Sequence, residues 1–168
     1  VTVRSDASSR FGKDNRTAVF VSGGLSWNMA REYFMRPITW LTDLKLKVSV
    51  GSTGNSSIGN YGHLALAGTA NYNGTTGWGY TQLANPDLGW EKQIQTNVGV
   101  SATFFEKLKL DVNFYHRKTK NMLMTTPLPY TTGFGSLMQN VGELSNRGVE
   151  LEVSYDIVRT KDVFFNLY

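Results

Sequence analysis

Residues that could catalyse a reaction or bind a metal are few and widely separated in this chain of 168 residues. His63 and His116 have no second histidine or cysteine at metal-ligand spacing. Glu150 and Glu152 share one face of a predicted strand, but nothing nearby supplies the environment that an acid–base pair requires. The chain is therefore predicted not to be an enzyme, and no metal or cofactor is expected.

A glycine-rich segment from Gly51 to Gly59 (GSTGNSSIG) could suggest a phosphate-binding loop. It lacks the lysine of such loops, and no helical pattern follows it, so phosphate binding is not predicted. Further along, the dipeptide Asn73-Gly74 is typical of a tight turn, because both residues tolerate a positive φ.

Aromatic residues in the longest polar segment have the best potential for binding. Flat rings beside amide and hydroxyl groups can stack on sugar faces while their neighbours form hydrogen bonds. The alternative is that the rings pack this long segment against neighbouring loops. The candidate substrate-contacting residues are Tyr61, Tyr72, Trp78, Tyr80 and Trp90.

Composition narrows the class of protein. Apolar residues form 40% of the chain and charged residues 18%, so it is too apolar to be disordered. No apolar run approaches the roughly 18 residues of a membrane-spanning helix. The net charge of +4 is mild, and its densest cluster (Arg117, Lys118 and Lys120) has no nucleic-acid motif around it. No nucleic-acid partner is predicted, and the lack of cysteine excludes a disulfide framework.

Hydrophobic periodicity gives the fold class. Four separate windows of seven residues alternate perfectly between apolar and other residues, whereas about 0.9 would arise by chance at this composition. The windows are Leu44 to Val50, Val98 to Phe104, Leu108 to Phe114 and Val149 to Tyr155. Each predicts a strand with one apolar and one polar face.

Weaker patterns add strands at Thr17 to Asn28 and at Val163 to Leu167, and Val1 to Val3 is interpreted as the end of an earlier strand. Pro37 limits the best helical candidate, around Phe34, to a turn or so. The prediction is an all-β fold of about six to seven antiparallel strands connected up and down.

The links between strands alternate between long and short, so one edge of the sheet would carry the long loops and the other the short turns. Outer-membrane barrels have this arrangement, with extracellular loops and short periplasmic turns. The predicted long loops are Arg4 to Arg16, Ser52 to about Glu91 and Thr125 to Asn146. The predicted short links are Ala30 to Asp43, Phe105 to Lys107 and Arg159 to Asp162.

Side chains on the predicted strands fit a membrane wall. Aromatic residues would form a girdle at the short-turn edge, and charges of both signs would line a water-filled lumen. The girdle residues are Trp27, Trp40, Phe104, Phe105, Phe164 and Phe165. The lumen residues are Lys45, Lys47, Lys109, Asp111, Asn113, Glu150 and Glu152, although a solvated sandwich face would look the same.

An ordered set of short segments resembles the C-terminal part of the barrel of TonB-dependent outer-membrane transporters, specifically the SusC/RagA-like group. The segments are Arg4 to Phe11 (RSDASSRF), Asp14 to Arg16 (DNR), Val21 to Trp27 (VSGGLSW), Leu44 to Asn55 (LKLKVSVGSTGN), Asn85 to Glu91 (NPDLGWE), Tyr115 to Leu123 (YHRKTKNML), Pro127 to Pro129 (PLP) and Asn140 to Glu150 (NVGELSNRGVE). They span nearly the whole chain, and it is their order that makes the resemblance specific.

The resemblance implies an energy-coupled importer of glycan- or peptide-derived nutrients in the bacterial outer membrane, with a plugged barrel of about 22 strands. It also implies a SusD-type surface lipoprotein as a lid, TonB as the energy-coupling partner and contact with outer-membrane lipid. Residues 1–168 would form a partial barrel, since the plug domain and the barrel-closing strands are absent from the sequence.

Two other functions share the same pattern. A soluble all-β carbohydrate-binding module would show alternation and loop aromatics, but it would close its own core. An adhesin or structural β-protein would use the long loops to bind a protein partner. Detergent dependence separates a barrel segment from a water-soluble module.

Overall fold

The computed structural model describes residues 1–159 and 164–167 of the chain. Within these residues there are eleven strands: β1 (Thr2–Ala7), β2 (Thr17–Asn28), β3 (Leu41–Asn55), β4 (Leu66–Tyr72), β5 (Thr75–Gln82), β6 (Glu91–Phe104), β7 (Leu108–Lys120), β8 (Leu123–Pro127), β9 (Ser136–Asn140), β10 (Glu143–Arg159) and β11 (Phe164–Leu167). The helical segments are four short turns: Lys13–Asn15, Met29–Arg31, Tyr33–Met35 and Tyr130–Thr132. None of the helices in the described part of the chain could cross a bilayer.

Seven strands form one antiparallel sheet in the order β1-β2-β3-β6-β7-β10-β11. The four remaining strands form two separate hairpins, β4-β5 and β8-β9, which belong to the long loops. Strands of the main sheet therefore follow one another in chain order once the loop hairpins are set aside. The prediction of an all-β, antiparallel, up-and-down fold is confirmed.

Successive links lie on alternate edges of the sheet, as predicted. Residues 8–16, 56–90 and 121–142 lie on one edge, and residues 29–40 and 105–107 lie on the other. The prediction that every link on the first edge is the longer is wrong for residues 8–16, because β1 extends to Ala7 and shortens the predicted loop from Arg4 to Arg16 to less than the length of residues 29–40. The predicted turn from Arg159 to Asp162 falls almost entirely outside the described residues, as does the predicted start of the last strand at Val163. The segment around Phe34 and Pro37 forms short helical turns rather than a longer helix.

The strands are longer than the alternating windows in the sequence. β7 continues to Lys120 and pairs in unbroken register with β6 and β10 over its whole length. Beyond Phe114 the same face carries His116, Lys118 and Lys120, so the apolar pattern ends while the backbone hydrogen bonds continue. The alternating pattern in the sequence is shorter than β7 because the residues on this face change from apolar to polar after Phe114, although the strand itself continues to Lys120.

Buried apolar side chains gather at the long-loop end of the molecule. The cluster is formed by Phe11, Ala18, Phe20, Ile58, Leu88 and Trp90, and Leu123 and Met138 pack against it. We call it the loop core, since most of its members lie in the long connections or in the loop hairpins. The apolar residues of the main sheet do not converge on a sealed interior, and many remain exposed.

Candidate functional site

One face of the main sheet, here called the apolar face, carries four continuous rows of apolar side chains. The rows follow from the strand register and run Leu25–Val48–Val98–Phe114–Val149, Trp27–Leu46–Val100–Val112–Leu151, Leu44–Ala102–Leu110–Val153 and Phe104–Leu108–Tyr155–Leu167. Many of these side chains are exposed, for example Leu25 and Leu151. Rows of exposed apolar residues across a whole sheet are unusual for a protein in water and suit a lipid-facing wall.

Aromatic rings lie at the short-turn edge of the sheet, as predicted for a girdle. Trp40 stacks on Phe104 with ring centroids 5.8 Å apart, and Phe105 lies 6.5 Å from Trp40. The Trp27 indole donates a 3.0 Å hydrogen bond to a carboxylate oxygen of Glu32 in the adjacent link. Trp27 thus combines an apolar ring with a polar partner, which is the chemistry of a membrane–water boundary. The predicted girdle side chains of Phe164 and Phe165 lie outside those described.

The opposite face of the sheet, here called the polar face, carries a network of charged and amide side chains. Asp111 lies at its centre and accepts hydrogen bonds from Ser101 and from Asn113, the latter at 2.7 Å. The Lys47 ammonium is 3.8 Å from the same carboxylate. Nearby, the Asn97 amide donates to Ser49 at 3.2 Å. The register places the other predicted lumen residues, Lys45, Lys109, Glu150 and Glu152, on this face as well.

The β4-β5 hairpin presents two of the predicted binding residues. It turns at Asn73 and Gly74, whose φ angles of 47° and 78° fit the tight turn that this dipeptide predicts. Trp78 and Tyr80 are two residues apart on β5, so their rings stand on the same face of the hairpin. They are 80% and 73% exposed, and Trp78 lies opposite Thr69 on β4. The pair forms an open aromatic surface at the loop end.

The remaining predicted binding residues have different surroundings. Tyr61 is 63% exposed and adopts a positive φ of 63°. The Gln82 side-chain amide donates to the backbone oxygens of Tyr61 and Leu64 and so holds this bend. Trp90 is only 9% exposed and belongs to the loop core. The backbone of Tyr72 pairs with Thr75, while its side chain lies outside those described.

Trp90 and its neighbours tie the long loops together. The Trp90 indole donates a 3.0 Å hydrogen bond to the backbone oxygen of Arg16, and its ring lies 5.4 Å from Phe11. Asn140 both accepts from the backbone N–H of Gly89 at 2.7 Å and donates to the Gly89 oxygen at 2.9 Å. The segment from Asn85 to Glu91, which carries part of the family resemblance, is therefore a structural hub between three loops.

A cavity of about 280 Å³ opens between the loops. It is lined by residues of two separate connections, 56–90 and 121–142, including Ile58, Asn60, Gln82, Thr125 and Met138. Sequence reasoning missed it, because no local pattern indicates that residues so far apart in the chain meet.

Both histidines form hydrogen bonds with residues that are distant in the chain. His63 Nδ1 lies 2.9 Å from the backbone oxygen of Arg10, and His116 Nε2 lies 3.1 Å from the Ser145 hydroxyl. Within residues 1–159 and 164–167, no group of three or more metal-ligating side chains comes together.

At the loop end of the sheet, beyond the apolar rows, Lys118 donates a hydrogen bond to Glu143. This hydrogen bond is the main cause of a lowered pKa of the Glu143 carboxyl; desolvation opposes it, and the charges of Lys118 and Lys120 lower the pKa further.

Comparisons with known proteins agree with this architecture. The family model for the TonB dependent receptor-like β-barrel matches residues 1–168. TonB-dependent receptor P3 of Formosa agariphila is 37% identical over 96% of this chain, and SusC of Bacteroides thetaiotaomicron is 34% identical over 99% of it. A structure of the RagAB peptide importer in its closed-closed state superposes with a TM-score of 0.84 and 45% identity over 95% of this chain.

The match covers only a part of each relative. The chain spans 17% of the length of receptor P3, 18% of SusC and 18% of the matched RagAB chain. The fold described above is thus shared with one segment of a larger chain. The chain belongs to the TonB-dependent receptor-like β-barrel family, in its SusC/RagA-like group, and is a component of the bacterial outer membrane.

Proposed function

We propose that this chain forms part of the wall and of the extracellular loops of an outer-membrane nutrient importer. The apolar face contacts lipid and the polar face lines the lumen. The observation that carries the proposal is the set of four apolar rows, which runs across the sheet while the opposite face carries charges of both signs.

The importer is larger than this chain. A wall of about 22 strands is the size of the plugged transporters of the outer membrane, and the main sheet described here has seven strands. We therefore assign residues 1–168 to a partial barrel. The plug domain and the strands that close the barrel belong to other parts of the transporter.

The nutrient is a peptide or a glycan, taken up with energy supplied through TonB, and a SusD-type surface lipoprotein covers the loop end as a lid. The similarity to a structure described as a peptide importer supports the peptide, and the open aromatic pair suits either class. A ring can stack on a sugar face or pack against an apolar side chain of a peptide.

Among the predicted binding residues, Trp78 and Tyr80 have the best geometry for substrate contact. Their rings are exposed, share one face and are held on a hairpin of defined register. Tyr61 is exposed beside the same loops. Trp90 is also a predicted binding residue, but its ring is packed against Phe11 and Phe20 and is therefore less available to a substrate than the exposed pair.

The test is uptake by cells that produce the full-length transporter with both Trp78→Ala and Tyr80→Ala. Loss of two rings that would stack on the substrate should weaken the capture of a labelled oligopeptide or oligosaccharide by about tenfold or more, since each ring contributes about 1 kcal/mol to binding. Tyr33→Ala is the matched control, because Tyr33 is equally exposed but lies at the short-turn edge. Uptake equal to that of the control would contradict a role of the pair in binding.

The water-soluble carbohydrate-binding module remains the competing function. It requires the apolar face to be covered, and in the described residues Leu25, Val149 and Leu151 are all largely exposed. A transporter that needs detergent to stay monodisperse supports the barrel, whereas a protein that is monomeric in plain buffer supports the module.

A further inference from the structure

A group of cations lies on the apolar face, just beyond the last apolar row on the loop side. On β7 the residues after Phe114 on this face are His116, Lys118 and Lys120. On β10, Arg147 lies opposite His116 in the register. We call Lys118, Lys120 and Arg147 the basic patch.

The height of the basic patch matches the border of the membrane. Lys118 follows Leu108, in the apolar row nearest the short turns, by about 33 Å along β7 at a rise of about 3.3 Å per residue. With a strand tilt of about 40° this is about 25 Å along the membrane normal, which is the height of the apolar band of an outer-membrane barrel. By the same arithmetic Lys120 lies about 5 Å above Lys118, and Arg147, opposite His116, lies about 5 Å below it, a distance that its long side chain can span. The charged groups of the patch therefore reach the level of the headgroups of the outer leaflet.

Positive charge in the patch is only partly compensated. Glu143 forms an ion pair with Lys118. Among the described residues of β7 and β10, it is the one carboxylate on the apolar face beside the basic patch. Lys92 lies directly opposite Lys120 and adds a like charge beside it. Because Lys92 also lines a cavity with Asp14 and Asp87, it is not included in the basic patch. Adjacent like charges repel each other, and a bound anion would relieve that repulsion.

The two borders of the apolar face differ in chemistry. At the short-turn border, the strands present Trp27, Phe104, Leu108 and Tyr155, and none of the described strand positions of this face carries a lysine or arginine there. Among the described strand positions of this face, cations occur at the loop-side border alone. This asymmetry suits a bilayer whose two leaflets carry different headgroups.

We propose that the basic patch binds the phosphorylated headgroup of a lipid in the outer leaflet, with Arg147 and Lys120 contacting the phosphate oxygens. This inference rests on the proposed function, because it requires the apolar face to contact lipid. Guanidinium and ammonium groups form charge-assisted hydrogen bonds with phosphate. His116 and Ser145 lie between the cations and offer further polar contacts.

The experiment measures the affinity of the full-length transporter for phosphatidic acid, added to the detergent-solubilised protein and followed by native mass spectrometry. Replacing the patch by K118Q, K120Q and R147Q together should lower the affinity by about a hundredfold, at about fivefold per cation. Removing the anion with E143Q should raise it by about fivefold. R117Q is the matched control, since Arg117 lies on the same strand but on the polar face.

Several outcomes would overturn the lipid site. One is equal affinity of the triple variant and R117Q while both variants still run as intact, heat-modifiable barrels. Another is equally strong binding of phosphatidylcholine, since this lipid has no net negative charge. Displacement of the lipid by millimolar inorganic phosphate would indicate a site for a free anion instead. If the unsubstituted transporter formed no such barrel, the proposed function and the lipid site would both fail.

Discussion

Gly54 on β3 lets the ring of Phe20 lie directly against the backbone. A Cβ atom at this position would overlap that ring, and Phe20 is almost completely buried in the loop core. Beside it the two strands have parted, and the Ser52 hydroxyl bonds to both the N–H and the carbonyl of Val21. A glycine is thus required here for close approach, while the serine satisfies the backbone where the ladder between β2 and β3 ends.

We expect Gly54→Ala to destabilise the protein by about 1–3 kcal/mol, because the buried Phe20 ring has no free space into which to move. Urea titration of the full-length transporter folded into lipid vesicles would measure the change in the free energy of unfolding. Gly77→Ala is the control, since the nearest atom to its added methyl group is 3.7 Å away. Similar stability of the two variants would show that the ring can be repositioned at little cost.

Identical residue types have different roles in the loops, and the sequence alone does not separate them. Trp78 and Trp90 both lie among glycine, asparagine and threonine, yet one ring is 80% exposed and the other is 9% exposed. The difference arises from contacts with Phe11 and Phe20, which are distant in the chain. Which aromatic residues are available to a ligand therefore depends on tertiary contacts that no local pattern contains.

Among the elements, the strands of the main sheet were the most predictable. β2 runs from Thr17 to Asn28, the range that the sequence pattern predicts, and the four perfectly alternating windows lie within longer strands. The β8-β9 hairpin was missed, since its short strands (LMTTP and SLMQN) do not alternate. An alternating sequence pattern indicates a strand with one apolar and one polar face. It therefore predicts the strands of the main sheet, and it does not predict loop strands whose two faces are both in contact with water or other loops.

Neighbouring positions on β7 should respond very differently to a new charge. Val112 lies in an apolar row and Asn113 lies on the polar face beside Asp111. We expect Val112→Lys to cost about 2–4 kcal/mol of folding free energy in a bilayer, because the ammonium would face the middle of the hydrocarbon layer. Asn113→Lys should cost much less, since Asp111 can pair with it. Equal costs, measured by urea titration in vesicles, would contradict the assignment of the two faces.

For the whole molecule, the seven-stranded sheet has an open edge. β1 pairs with β2 on one side, and no strand among the described residues covers its other side. Unpaired N–H and C=O groups along a strand are a template for further pairing. In the proposed transporter, a neighbouring strand of the same barrel covers this edge.

The 168-residue chain produced on its own should therefore associate through strand edges. Refolded in detergent, it is expected to give oligomers with added β-structure, which light scattering and circular dichroism would detect. A control chain with Val3→Pro and Ser5→Pro should associate less, because proline on the edge strand removes hydrogen-bond donors and disrupts pairing. A monodisperse, water-soluble monomer would argue against a wall segment.

The reciprocal hydrogen bonds between Asn140 and Gly89 have a consequence for how such a receptor can diversify. They fix the bases of the loops to one another, whereas the tip of the β4-β5 hairpin, with Trp78 at its open surface, carries little of that anchoring. In the proposed transporter, mutations at the tip would change the surface offered to the nutrient and leave the hydrogen bonds between the bases of these two loops intact. New nutrient preferences would then arise through changes at the hairpin tip, while the loop bases stay under selection for folding.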